Sequence, residues 1–127
     1  MLESKRPTIL VIDDDPVFLK LLARTLSSKG YDILSAVEAP VGLEIAMKQS
    51  PDLIILDVMM PIINGYNICR LLKSEQPTKH IPVVFLTGRT GDEDRRIGEE
   101  VKADAYIFKP LDLNILQETI RKLLKKS

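Results

Sequence analysis

The sequence predicts an α/β fold, with a doubly wound parallel sheet of five strands and helices on both faces. Short, nearly continuous apolar runs rich in β-branched residues alternate with longer stretches of helical spacing. Continuous apolar runs are typical of strands that are buried on both faces. Right-handed crossovers between such strands place the helices on both sides of the sheet.

The first half of the chain contains two strand–helix units and a third strand. A strand is expected at Thr8–Ile12, followed by a helix at 17–29 that Asp15 caps, with Pro16 at its first position. Gly30 is a fitting stop for this helix. The next predicted elements are a weaker strand at 31–36, a helix at 40–49 and a strongly apolar strand at 53–56, which Asp57 ends.

The second half continues the same alternation. The predicted elements are a helix at 66–75, a strand at 83–86, a helix at 93–101, a strand at 105–108 and a last helix that Asp112 caps. The spacing of Thr90 and Glu93 is that of a capping box, which places the start of the fourth helix there. In the last helix, one apolar stripe runs from Ile115 to Leu124.

Length and charge exclude several classes of function. The 127 residues are expected to form one domain spanning 1–127, and the net charge of zero does not favour binding to nucleic acid or to an anionic membrane surface. No apolar run approaches the length of a membrane span. One cysteine and one histidine cannot form a Cys/His zinc site, and the single cysteine favours a reducing, cytoplasmic location.

Polar side chains follow four of the five predicted strands. Strand one ends in Asp13 and Asp14, strand three in Asp57, strand four in Thr87 and strand five in Lys109. In the flavodoxin-like order 2-1-3-4-5 these four strands are neighbours, and ligands bind outside the carboxyl ends of such strands. The apolar pattern alone does not fix this order. If it holds, the polar groups converge on one shallow site.

The residue types at this site indicate phosphoryl chemistry. Three carboxylates near one another repel, and Mg²⁺, which prefers carboxylate, water and phosphate oxygens, relieves that repulsion. Lys109 supplies a movable positive charge and Thr87 a hydroxyl donor. A carboxylate can act as a nucleophile and carry a phosphoryl group. We therefore expect Asp57 to be a phosphoryl acceptor.

Four motifs resemble the receiver domain of two-component response regulators. These are I-D-D-D-P at 12–16, D-V-M-M-P-I-I-N-G at 57–65, V-F-L-T-G at 84–88 and Y-I-F-K-P at 106–110. They occur in the order and at the spacing of that family, and the resemblance covers essentially the whole chain. It implies that Asp57 takes a phosphoryl group from the phosphohistidine of a sensor histidine kinase or a phosphotransfer protein.

The resemblance also implies roles for the other motif residues. Asp13 and Asp14 match the acidic pair that arranges Mg²⁺, with Asp14 and Asp57 as ligands and Asp13 largely orienting waters. The backbone carbonyl of Met59 would be a further ligand. Thr87 and Lys109 match the hydroxyl and the lysine that contact the phosphoryl group. Tyr106 matches an aromatic switch position, and Lys109–Pro110 matches a cis peptide bond of the family.

Three other functions compete with this interpretation. A receiver-like interaction module that is never phosphorylated would typically lack one of the acidic, Thr or Lys positions. The motif Asp13-x-Asp15 resembles haloacid dehalogenase-like phosphatases weakly, but Pro16 follows it and the late acidic pair of that family is missing. A flavodoxin needs a phosphate-binding loop after strand one, where the three aspartates would repel a phosphate. The kinase, the downstream target and the oligomeric state cannot be deduced from the sequence.

Overall fold

A parallel five-stranded sheet forms the centre of the molecule. The computed structural model describes residues 6–58, 65–88, 96 and 99–125. The strands are β1 (Thr8–Ile12), β2 (Asp32–Ala36), β3 (Leu53–Asp57), β4 (Val83–Thr87) and β5 (Ala105–Phe108). The principal helices of the described residues are α1 (Pro16–Ser27), α2 (Ala39–Gln49), α3 (Gly65–Ser74) and α4 (Leu113–Lys125).

The strand order β2-β1-β3-β4-β5 confirms the expected flavodoxin-like arrangement. All four neighbouring pairs are parallel, with Ile12 opposite Leu56 in the β1–β3 pair and Thr87 opposite Phe108 in the β4–β5 pair. This register aligns the carboxyl ends of β1, β3, β4 and β5, which are neighbours in the sheet. The residues that immediately follow these strands therefore meet at one edge.

Two apolar clusters cover the two faces of the sheet. Alternate residues of the central strands point to opposite faces. On one face, side chains such as Leu10, Ile54 and Phe85 pack with α2 and α3; on the other, Ile9 and Ile55 pack with α1 and α4. All residues of β3 and β4 are buried. The central strands are therefore fully enclosed, as their continuous apolar sequence predicted.

The start of α1 confirms the predicted cap. The Asp15 carboxylate accepts hydrogen bonds from the backbone N–H groups of Val17 and Phe18, at 3.0 and 3.3 Å. The helix buries Leu19, Leu22 and Leu26. Val17 is 74% exposed, because it lies on the side of the helix that faces away from the sheet.

Small residues bring α2 close to the sheet. Helical spacing predicts Leu43, Ala46 and Met47 as the inward side chains, and all three are buried or half-buried. Ala39 and Gly42 are buried as well. A Cβ atom on Gly42 would lie 2.5 Å from the Ile12 side chain. Glycine at this position therefore lets the helix pack directly on the end of β1.

The predicted fourth helix lies mostly outside the described residues. Within the described part, residues 96, 99 and 100 are helical, and the chain turns at Val101 and Lys102. Lys102 has a φ of 67°, in the left-handed region where glycine is favoured. No glycine ends this helix, and Lys102 adopts the left-handed conformation in which glycine commonly ends a helix.

The ends of the helices differ from the predicted ends by a few residues. α1 ends at Ser27, and the chain leaves it through Gly30, which has a φ of 102°. α4 begins after Asp112, whose carboxylate accepts from the backbone of Asn114 and Ile115 and so forms the predicted cap. None of the described helices is long and apolar enough to cross a membrane.

Candidate functional site

The carboxyl ends of β1 and β3 place three carboxylates side by side. Ile12 is opposite Leu56, so Asp13 follows β1 at the level where Asp57 ends β3. One carboxylate oxygen from each of Asp13, Asp14 and Asp57 lies within 4.8 Å of the other two. Asp13 and Asp57 are buried and Asp14 is exposed. The cluster is thus open to solvent on the side of Asp14.

Burial and neighbouring charges strongly affect the carboxylate of Asp13. It is 2% exposed, and its Oδ1 atom accepts a hydrogen bond from the Asp15 N–H at 3.0 Å. Its buried Oδ2 atom has no hydrogen-bond partner among the described residues. Burial raises the pKa of Asp13 from its ordinary 3.8 to about 6, and the nearby charge of Asp57 adds to the rise, against the backbone hydrogen bond and Lys109.

The donor set of this cluster fits a hard divalent cation. All three groups are carboxylates, which are the protein ligands that Mg²⁺ and Ca²⁺ prefer. The buried Asp13 Oδ2 atom lacks a hydrogen bond, and a cation would compensate its desolvation. The Met59 carbonyl, which the resemblance implies as a further ligand, lies outside the described residues.

Lys109 lies between the two buried carboxylates. Its Nζ atom is 3.7 Å from Asp13 Oδ2 and 3.8 Å from Asp57 Oδ1. Its backbone N–H donates to the Thr87 carbonyl at 2.8 Å, which fixes the start of the side chain. The Lys109–Pro110 peptide bond is cis, as the resemblance implies. At 3.7 and 3.8 Å, the ammonium group faces Asp13 and Asp57 without a hydrogen bond to either carboxylate.

Thr87 and Tyr106 lie on the neighbouring strands β4 and β5. Thr87 ends β4 and is fully buried. Tyr106 is half-buried, and its ring meets that of Phe85 edge to face, with centroids 5.4 Å apart. The hydroxyl groups of Tyr106 and Tyr66 are 2.5 Å apart and share a hydrogen bond. Tyr66 therefore connects the predicted switch residue to the first turn of α3.

Gly65 is a site residue that the sequence analysis did not identify. Its N–H donates to the Val58 carbonyl at 2.9 Å, and a Cβ atom at this position would lie 2.5 Å from the Asp57 carbonyl oxygen. A backbone atom cannot move aside as a flexible side chain does. Glycine here lets α3 begin directly against the end of β3, beside Asp57. The motif Asn64-Gly65 predicted a loop, and nothing local in the sequence shows this contact.

The sequence analysis also missed the roles of Phe18 and Tyr66. Phe18 packs at the edge of the apolar cluster with Leu22 and Leu26, as helical spacing predicts, and its ring centroid also lies 5.3 Å from Lys109 Nζ. Tyr66 was predicted as the first residue of a helix, without any contact to Tyr106. Both contacts join residues that are far apart in the chain, so no spacing in the sequence indicates them.

A buried carboxylate beside a lysine, at the carboxyl edge of a doubly wound parallel sheet, defines a site suited to anionic groups. The family model of the response regulator receiver domain matches residues 9–121. That match covers most of the chain. The protein therefore belongs to the response regulator receiver domain family, whose members are two-component signalling domains rather than conventional enzymes.

Curated relatives are larger than this chain. It is 37% identical over 121 residues to the "DNA-binding dual master transcriptional regulator RpaA" of Synechocystis, a match that covers 95% of this chain and 50% of the relative. It is 39% identical over 117 residues to the "Response regulator PleD" of Caulobacter vibrioides, covering 92% of this chain and 26% of that protein. The chain thus spans about half the length of the first relative and about a quarter of the length of the second.

Solved structures of receiver proteins superpose closely on this fold. The Vibrio cholerae chemotaxis protein CheY4 has a TM-score of 0.89 at 27% identity, with 94% of this chain and 99% of that chain covered. The BeF3-activated N-terminal receiver domain of RstA from Klebsiella pneumoniae has a TM-score of 0.85 at 28% identity, with 92% and 97% covered.

Replacing Asp13 with Asn should stabilise the metal-free protein. Because the folded pKa of about 6 lies above the ordinary 3.8, the folded state binds the proton more tightly than the unfolded state. The wild type therefore loses stability as the pH rises from about 4 to 6, by up to about 3 kcal/mol. Urea unfolding without divalent ions should show Asp13→Asn more stable at pH 7, with the difference shrinking toward pH 4.

Asp14→Asn is the matched control, because it removes one charge of the same cluster at an exposed position. Its effect on the free energy of unfolding should be smaller than that of Asp13→Asn. A gain for Asp13→Asn that does not change between pH 4 and pH 7 would contradict the assignment of the buried charge to Asp13.

Proposed function

We propose that the protein accepts a phosphoryl group on Asp57, in a Mg²⁺-dependent reaction, from the phosphohistidine of a sensor histidine kinase or a phosphotransfer protein. The observation that carries this proposal is the position of Asp57. Its carboxylate is buried at the end of β3, with Lys109 Nζ 3.8 Å away and two further carboxylates beside it. Membership of the receiver family supports the same function.

In the proposed transfer, a carboxylate oxygen of Asp57 attacks the phosphorus atom. The bond between phosphorus and the imidazole nitrogen breaks, and the nitrogen keeps the electron pair. When the other ring nitrogen of the phosphohistidine carries a proton, the products are an acyl phosphate on Asp57 and a neutral histidine. Lys109 and the Thr87 hydroxyl would hold two of the phosphoryl oxygens, which places positive charge and a hydrogen-bond donor where negative charge develops.

Asp13, Asp14 and Asp57, with the Met59 carbonyl, would hold Mg²⁺. The bound cation would offset the repulsion between the carboxylates and the incoming phosphoryl oxygens. The expected division, with Asp14 and Asp57 as direct ligands and Asp13 orienting waters, agrees with the open side of the cluster at Asp14. The Oδ2 atom of Asp13, which has no hydrogen bond from any described residue, supports a role for this residue as well.

The proposed output is a change in Tyr106 that follows a movement of Thr87. When the Thr87 hydroxyl turns toward a phosphoryl oxygen, space opens beside β4, and the Tyr106 ring moves into it. The shared hydrogen bond with Tyr66 and the contact with Phe85 stabilise the ring in its present place. Both arrangements would pre-exist, and phosphorylation would change their populations.

The wider role of the protein is also a proposal. We infer a single receiver domain over residues 1–127, in the cytoplasm, that acts through a downstream protein or an output domain rather than by contacting DNA itself. The zero net charge supports the last point. The three competing functions have no specific support in the geometry, because the acidic, Thr and Lys positions are all present at the strand ends.

Asp57 should be the sole phosphorylation site. Incubation with acetyl phosphate and Mg²⁺ should add one phosphoryl group per chain, detectable by intact-mass spectrometry, and Asp57→Asn should abolish it. Asp52→Asn is a matched control: Asp52 is an exposed aspartate just before β3, whose carboxylate accepts from the Thr8 N–H. It should be labelled like the wild type. Labelling of Asp57→Asn at equal stoichiometry would refute the proposal.

Tyr66→Phe should change the behaviour of Tyr106 without altering the acceptor site. It deletes one hydroxyl group, and a lost hydrogen bond of about 1 kcal/mol changes a two-state equilibrium about fivefold. With ¹³C-labelled tyrosine, the Tyr106 ring signal should shift in this variant, both before and after phosphorylation. Tyr31→Phe, on the opposite face of the sheet, should leave that signal unchanged. A Tyr106 signal that responds neither to Tyr66→Phe nor to phosphorylation would overturn the switch.

A further inference from the structure

The ring of Phe18 lies against the reactive end of the site. Phe18 is in the first turn of α1, and its N–H donates to Asp15 Oδ1 at 3.3 Å. The capping of α1 by Asp15 therefore fixes the backbone of Phe18 next to the acidic cluster. The side chain is half-buried, and it lies outside the fully buried face formed by Leu19, Leu22 and Leu26.

The ammonium group of Lys109 is attracted by three groups and hydrogen-bonded to neither carboxylate. Its Nζ atom lies 3.7 Å from Asp13 Oδ2, 3.8 Å from Asp57 Oδ1 and 5.3 Å from the centroid of the Phe18 ring. A cation within about 6 Å of a ring centroid is attracted by the negative face of the ring. The carboxylates attract the charge from one side, and the ring attracts it from another.

Lys109 needs such a restraint, because its side chain is long and 35% exposed. A lysine stem has many rotamers, and fixing them costs conformational entropy. If the ammonium group swung into water, the acceptor site would lose its positive charge. A ring at this distance can hold that charge next to Asp57 without a short ion pair that would occupy the carboxylate oxygens.

We propose that Phe18 is a positioning residue for Lys109: its ring holds the ammonium group beside Asp57, where the oxygens of an incoming phosphoryl group arrive. The proposal rests on the proposed function, because it assumes that Asp57 is the acceptor. A charge that is already in place does not have to be ordered during the transfer, and this lowers the barrier.

Phe18 also packs at the edge of the apolar cluster between the sheet and the helices α1 and α4. A role in packing alone would explain its presence equally well, and deleting the ring would not separate the two roles. Fluorine atoms on the ring withdraw electron density and weaken the attraction for a cation, while the shape of the side chain changes little. A fluorinated series at position 18 therefore tests the electrostatic role alone.

The experiment replaces Phe18 with mono-, di- and trifluorophenylalanine by site-specific incorporation. The maximal rate constant for phosphorylation by acetyl phosphate is measured at saturating Mg²⁺. We expect this constant to fall stepwise, by about two- to fivefold over the series, which is the range of an exposed cation–π contact. Equal rate constants throughout the series, at unchanged stability, would overturn the positioning role.

One background and three single variants complete the test. In Lys109→Met, fluorination should have no further effect, because the cation is absent. Phe18→Tyr should retain the rate constant and Phe18→Leu should lower it, whereas Val17→Ala, at the exposed neighbouring position, should leave it unchanged.

A second readout does not depend on phosphorylation. The Lys109 Hε protons should show an upfield ring-current shift in NMR spectra, which Phe18→Leu abolishes. If the wild type is not labelled on Asp57, the proposed function fails. If it is labelled while the fluorinated series and the Hε shift show no effect of the ring, the role of Phe18 alone fails.

Discussion

The confinement of three carboxylates at one edge of the sheet is the constraint on which the rest of the site depends. Asp13 and Asp57 are both buried there, and one oxygen of Asp13 has no hydrogen bond among the described residues. Burying like charges close together costs folding free energy, and the same burial raises the pKa of Asp13. Lys109 offsets this cost in part, and a divalent cation would offset more of it. The site thus attracts positive charge, which in the proposed function would bind the phosphoryl oxygens.

The fold tolerates this cost because the remainder of the sheet is strongly apolar. Every residue of β3 and β4 is buried, and two apolar clusters enclose both faces. Each fully buried Val, Leu, Ile or Phe side chain contributes about 1.5–3 kcal/mol relative to an exposed one. Glycines at positions 42 and 65 bring α2 and α3 close to the ends of β1 and β3. A stable sheet therefore holds an unfavourable cluster of like charges in a fixed geometry.

The sequence predicted the elements better than their packing. The five strands follow from apolar runs, and the caps at Asp15 and Asp112 follow from local hydrogen bonding. The strand order did not follow from the apolar pattern; the structure confirms the flavodoxin-like order that was expected. The polar strand ends identified the site, because parallel strands bring their carboxyl ends together. The contacts of Gly65, Phe18 and Tyr66 could not be predicted, since each depends on the tertiary approach of distant segments.

The most direct test of the central claim is the dependence of the unfolding free energy on Mg²⁺. Urea unfolding of the wild type at pH 7 should give a free energy that rises by about 1.4 kcal/mol for each tenfold increase in Mg²⁺ above the dissociation constant. At the same Mg²⁺ concentrations, the increase in unfolding free energy should be smaller in Asp14→Asn and in Asp57→Asn, because each variant loses one carboxylate of the cluster and binds the cation more weakly. A wild-type response no greater than that to NaCl of equal ionic strength would contradict the account.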